Sequence, residues 1–180
     1  GANISYLLCD QFLESCIMKT QRYNVNSHKN KILNNKLCKD CFDCGQIAYR
    51  GTGFNFFKLS NYFNTVHNKK IKEIIKKNKS LQKMTNFKLD DINIGEHVSA
   101  NISRYYAVSN YKKERNIKLV AKNYFKSALK TFFSFQNLLT KNTFDTIIVN
   151  HGFYIPQGII SEVAKKNNIH FVTWTTGARK

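Results

Sequence analysis

The chain is poor in the residues that punctuate a fold and poor in negative charge. Its 180 residues hold one proline and one tryptophan, and 11 Asp and Glu stand against 29 Lys and Arg. No Gly/Pro-rich linker and no internal repeat interrupts it, so nothing marks a domain boundary and the reading is one domain over residues 1–180. A domain of that size can bury a good core, since ~150 residues already remove about 70% of the unfolded surface. No apolar run approaches the roughly 18 residues that a membrane span needs. No signal-peptide pattern opens the chain, and the expectation is a cytoplasmic protein. The cysteines number five. An odd, clustered set fits a reducing compartment or a metal site better than a disulfide framework.

What is present begins with a formal net charge of +18. Lysines are mixed with asparagines along the whole chain, and the densest block, Asn68 to Lys83, carries Ile71, Ile74 and Ile75 at helical spacing. It therefore reads first as the solvated face of an ordinary helix. A basic surface still gathers anionic partners, whether nucleic acid, acidic lipid or sugar phosphate, and charge alone does not choose among them.

The most legible stretch is Val149 to Trp174, "VNHGFYIPQGIISEVAKKNNIHFVTW". Thr146 to Val149 is a short β-branched run, and Pro156 suits a first helical turn. Ile159, Ile160, Val163 and Ala164 then recur at helical spacing, and His170 to Trp174 reads as a second buried strand. Two strands around one short helix predict a βαβ unit in a parallel sheet, whose ligands gather beyond the carboxyl ends of the strands. Asn150 to Gly158 lies at that edge. Structural βα loops usually take two to six residues, so a longer loop bearing His151, Phe153 and Tyr154 points to binding.

Elsewhere, Asn3 to Cys9 has strand character and stands almost first, so the expected domain lacks its first β-α unit. Gln21 to Lys36 reads as a loop or insertion. Helices are predicted from Asn61 towards Met84, from about Glu96 to before Asn110, and from Lys113 to Leu139. The last is expected to bury Leu119, Val120, Tyr124, Leu129, Phe132 and Phe133. The fold class is thus α/β, with the strands near Ile4 to Leu8, Thr146 to Val149 and His170 to Thr173 adjacent or nearly so in one buried parallel sheet.

The blocks "LLCD" with Cys16, "CKDC", "INIGEHVSANISRYY", "NHGFYIPQGIISEVAKKNNIHFVTW" and "GARK" together resemble the N-terminal half of capsule-polysaccharide-type glycosyltransferases. The resemblance spans nearly the whole chain and is most specific in its last two blocks. It implies one Rossmann-like, acceptor-side half of a GT-B fold, taken from a longer protein whose C-terminal domain holds most contacts to the donor. It further implies transfer of a sugar from a nucleotide sugar to a polysaccharide or glycolipid acceptor in bacterial surface-polysaccharide synthesis. No cofactor is needed for that chemistry, an isolated fragment would be inactive, and the place of work could be the inner face of an anionic membrane. The other class in play is a basic nucleic-acid-binding module with a small zinc knuckle.

Three constellations carry candidate chemistry. His151 is a candidate general base, because an imidazole titrates near pH ~6.5, and Gly152 would let the backbone approach a ligand. Tyr154 could contact the acceptor or donor phosphates. The competing reading has His151 bonding its own loop and Phe153 filling the core. In "NIGEHVSANISRYY", Gly95 and Glu96 stand at a helix start that favours a carboxylate. Glu96 is the second candidate base, and Arg104 could clamp a phosphate with its planar fork. The competing reading is a capped amphipathic helix. Arg179 joins the substrate-binding set through the resemblance. Third, Cys38, Cys41 and Cys44 form a C-x-x-C-x-x-C run that, with Cys9 and Cys16, could supply a structural zinc site. Reduced, unliganded cysteines are the alternative.

Overall fold

The computed structural model describes residues 1–16, 18 and 31–175. Strand β1 (Ser5–Leu8) leads by way of helix α1 (Lys31–Arg50) to β2 (Asn55–Lys58) and a 3-10 turn at Leu59–Tyr62. Helices α2 (Thr65–Lys77), α3 (Leu81–Thr85), α4 (Ile94–Tyr106) and α5 (Ile117–Leu139) follow, then β3 (Thr146–Asn150), α6 (Gln157–Lys166) and β4 (His170–Trp174).

The core is organised around α5. Its buried residues, among them Val120, Tyr124, Phe125, Ala128, Leu129, Phe132, Phe135 and Leu138, cover more than one stripe of the cylinder. A helix apolar on several sides must be surrounded. The 3-10 turn, α2, α3, α4 and α6 all pack against it. Each fully buried Phe, Leu or Ile contributes roughly 1.5–3 kcal/mol of hydrophobic stabilisation, so this helix is the main source of stability. The segment after β1 is also tied to α5. Glu14 pairs with Lys126 at 2.6 Å and Lys130 at 2.9 Å, and the Ser15 amide donates to the Ser127 hydroxyl at 2.9 Å.

The strands do not form the single sheet that was expected. Among the described residues, β1 pairs in parallel with β2, and β3 pairs in parallel with β4, as two separate two-stranded sheets. The βαβ reading of Thr146 to Trp174 holds, with Thr146 opposite His170 and Asn150 opposite Trp174. A second βαβ unit, β1–α1–β2, stands beside it. The partner of β1 is thus β2, not β3. Nor are the strands buried on both faces: β4 is exposed along its length and β1 is half-buried. The protein is α/β with two small parallel sheets.

Two helix boundaries also differ. The stretch from Asn61 to Met84 is broken because it contains two capping residues. Asn64 caps α2 by accepting the His67 amide at 2.9 Å, and Ser80 caps α3 by accepting the Lys83 amide at 3.2 Å. Asn78 closes α2 between them, its side-chain amide donating to the Ile74 carbonyl at 2.8 Å. Such side chains compete with continued helix wherever they can satisfy a helix end. Lys31 to Lys36, read as loop, is the first part of α1; Gln21 to Asn30 lies outside the described residues. On α5, Val120, Tyr124, Leu129 and Phe132 are buried as expected, Phe133 is half-buried, and Leu119 is 49% exposed.

Candidate functional site

Helix α4 presents two faces of different character. Ile94, Val98 and Ile102 are fully buried against the core. Glu96, Ser99, Ala100, Ser103 and Arg104 recur at intervals of three or four and share the other side. That polar stripe forms one wall of a cavity of about 540 Å³, with Thr85, Phe153 and Tyr154 completing the lining. The volume is that of an ordinary small-ligand site.

The opposite wall is the loop from β3 to α6. It runs from His151 to Pro156, so its length lies within the structural range and does not by itself argue for binding. Its composition and shape matter more. His151 adopts φ of 60° and Gly152 φ of 62°, a left-handed pair that turns the chain sharply past the strand end. The His151 amide donates to the Trp174 carbonyl at 2.9 Å, which anchors the turn to β4. A methyl on Gly152 would lie 2.5 Å from Thr173 Cγ2, so the close approach this glycine permits is to β4 rather than to a ligand.

Arg104 and Tyr154 meet across the cavity. The guanidinium carbon stands 4.5 Å from the centre of the Tyr154 ring, a cation-π contact. Among the described residues the ion pairs are Lys39 with Asp43 and Glu14 with Lys126 and Lys130, so Arg104 has no carboxylate at ion-pair distance. Glu96 occupies the first turn of α4 and is exposed. Ser99 shares a 2.5 Å hydrogen bond with the Tyr111 hydroxyl. A carboxylate, three hydroxyl side chains and a cation over an aromatic ring therefore line one cavity.

The structure thus brings Glu96, Arg104 and Tyr154 together and leaves His151 outside. His151 is exposed and does not line the cavity, and its ring centre lies 6.3 Å from that of Tyr154. Phe153 does not fill the core; it is 46% exposed. Gly95 is buried, and an added Cβ would lie 2.3 Å from the Thr85 carbonyl oxygen, so its lack of a side chain lets α4 pack on the end of α3. Its place in a substrate-binding set gives way to that packing role. Arg179 lies outside the described residues.

One residue of this site escaped the sequence reading. His97 is only 5% exposed, and its Nδ1 donates to the Phe153 carbonyl at 2.8 Å. The carbonyl can only accept, which places the proton on Nδ1. Gly158, the second residue of α6, has no side chain where His97 sits: a Cβ there would fall 2.3 Å from Nδ1. The signal was the position of His97 directly after Glu96, on the buried side of an amphipathic helix.

The cysteines do not form the expected metal site. Cys38, Cys41 and Cys44 lie within the continuous helix α1, where ~100° and ~1.5 Å per residue spread them over about 120° and 9 Å. Neighbouring cysteines of the run therefore stand one helical turn apart rather than on a tight turn. Among the described residues no group of three or more His, Cys, Asp or Glu side chains could hold a metal ion. Cys9, Cys16 and Cys38 are half-buried while Cys41 and Cys44 are exposed. Burial pushes the Cys9 thiol above its ordinary value, which makes it a poor ligand and a poor nucleophile.

No family model, no curated protein and no solved structure matches the chain. Among the described residues no helix is long and apolar enough to cross a membrane.

Proposed function

We propose that the chain is the acceptor-side part of a glycosyltransferase, with its reacting groups in the cavity between α4 and the β3–α6 loop. The observation that carries this reading is the polar stripe of α4 facing Tyr154: Glu96 at one end of the cavity and Arg104, stacked on the ring, at the other. Support also comes from the position of the loop, beyond the carboxyl end of a parallel strand, where open α/β sheets hold their ligands.

The chemistry assigns each group a task. Glu96 accepts the proton of an acceptor hydroxyl as its oxygen bonds to the sugar's anomeric carbon. The bond from that carbon to the donor phosphate breaks, and the nucleoside diphosphate leaves with the electron pair. Arg104 faces the charge that builds on the phosphate, where a planar guanidinium offers paired donors. Tyr154 holds the guanidinium flat, and Ser99 and Ser103 present hydroxyls to the sugar rings. His151, the other candidate base, stands beside Tyr154 at the rim and is assigned a lesser part. Most donor contacts would belong to the C-terminal domain implied by the family resemblance.

The test is transfer by the full-length protein from a nucleotide sugar to a glycan or glycolipid acceptor. Glu96→Gln should lower turnover by about 10²–10⁴-fold, the usual contribution of a general base. Its thermal unfolding should be unchanged, because the side chain is exposed. His151→Ala should cost less than tenfold. Full turnover by Glu96→Gln would overturn the assignment, and a larger loss at His151 than at Glu96 would transfer the base to the loop.

A further inference from the structure

A second concavity, about 620 Å³, lies between α2, α3 and α5, lined by none of the residues that line the Glu96 cavity. Its apolar lining includes Ile71, Ile75, Met84 and Leu119, while six lysines, from Lys72 on α2 to Lys126 on α5, surround it and no acidic residue contributes to it. Of the six, only Lys126 has a carboxylate at ion-pair distance among the described residues, through Glu14 at 2.6 Å. The two stripes follow from spacing: Lys72 and Lys76 repeat every four residues on α2, and Lys118, Lys122 and Lys126 do so on α5. Uncompensated like charge around an apolar floor raises the energy of the empty surface and is relieved by an occupant that is anionic and apolar at once.

We propose that this lysine-rimmed groove docks the chain onto the anionic phospholipid surface of a bilayer. Leu119, 49% exposed between Lys118 and Lys122, supplies an apolar contact at the acyl boundary. Lysine stems lie along apolar surface and carry their ammonium groups to the phosphates. Nucleic acid fits the groove less well. Single strands are held by bases stacked on aromatic rings or on arginine, and neither residue type lines it. The docking is independent of the chemistry assigned to Glu96 and stands or falls apart from it.

The experiment is flotation of the purified chain with vesicles of phosphatidylglycerol and phosphatidylcholine, against vesicles of phosphatidylcholine alone. Binding should require the anionic lipid and weaken as salt is raised. The triple variant Lys72→Glu, Lys118→Glu, Lys122→Glu should bind about 100-fold more weakly, at roughly a factor of five per lysine before repulsion is counted. A control with the same charge change elsewhere, at the exposed Lys112, Lys113 and Lys165, should retain most of the affinity. Leu119→Ser should weaken binding without altering charge. If the glutamate variant fails to fold, the three Lys→Gln changes replace it. Equal binding by groove and control variants, no binding to the anionic vesicles, or displacement from them by an equal concentration of single-stranded oligonucleotide each overturns the proposal.

Discussion

Gly158→Ala is the sharpest test of how the candidate site is held. The new methyl would stand 2.3 Å from His97 Nδ1, 2.7 Å from its Cε1 and 2.7 Å from the Phe153 carbonyl oxygen. None of these atoms yields easily: the imidazole is buried, and the carbonyl is backbone. Forcing them apart costs about 1–3 kcal/mol of overpacking. Breaking the 2.8 Å bond from His97 to Phe153 leaves buried polar groups unmade, at a further cost of about 1–3 kcal/mol. Replacing glycine by alanine within a helix returns about 1 kcal/mol. The expected result is a net loss of roughly 1–5 kcal/mol, read as a lower urea midpoint at unchanged slope. The double variant with His97→Ala should lose less than the sum of its parts, because the clash is with the ring that has been removed. A Gly158→Ala protein as stable as the parent, or stabilised by the helical gain alone, would refute this account of the packing.

Two other perturbations follow from the same structure. Burial alone would raise the Glu14 carboxyl, but hydrogen bonds from Lys126 and Lys130 outweigh it and hold the group below its ordinary value. A depressed carboxylate stabilises the fold above its unfolded pKa, and that contribution is lost as pH falls through the ordinary carboxylate range towards the folded value. Stability measured from pH 7 down to pH 3 should therefore decline less steeply in Glu14→Gln than in the parent, and identical profiles would remove Glu14 from the account. Because the five thiols do not gather round a common point, a chelator should leave the melting temperature unchanged and elemental analysis should find well under one zinc per chain; a chelator-induced fall in melting temperature would restore the metal site.

Periodicity was readable wherever one residue pattern served one neighbour. The βαβ unit from Thr146 to Trp174, helix α4 and most of α5 follow from apolar spacing, because each buries one recognisable face. The rest depended on partners distant in sequence. Strand β2 is four residues long and mostly exposed, so "NFFK" lacks the apolar alternation that would have marked it; its partner β1 lies about 50 residues away in the chain. The split between α2 and α3 was visible in principle through Asn64 and Ser80, but isoleucines running on at helical spacing outweighed two capping residues. The cysteine run was ambiguous for a related reason. A spacing of three suits both a metal-binding turn and an α-helix, and the surrounding Lys, Leu and Ala residues are good helix formers. In the candidate site, Glu96, Arg104 and Tyr154 were recognisable by chemical type, and the exclusion of His151 was not. Its left-handed φ turns the backbone at the strand end, and no local pattern reports which way the ring then faces.

The placement of His97 explains why the cavity has a definite shape. Its two walls come from segments about 50 residues apart in the chain, helix α4 and the β3–α6 loop, and the loop is anchored in the core through the fully buried Ile155. The 2.8 Å bond from His97 to the Phe153 carbonyl joins the walls at one buried point. Glu96 directly precedes that histidine, and Tyr154 directly follows that phenylalanine. The same bond, with the buried Ile155, therefore holds the carboxylate wall against the aromatic wall, and Arg104, two turns further along α4, meets the Tyr154 ring at 4.5 Å. Gly158 is part of this arrangement because only an absent side chain lets α6 come close enough to seat the imidazole. A site whose two walls are already held together loses less entropy on binding than one assembled by its ligand. On this view a residue that no catalytic pattern would have selected ties the helix bearing Glu96 and Arg104 to the loop bearing Tyr154.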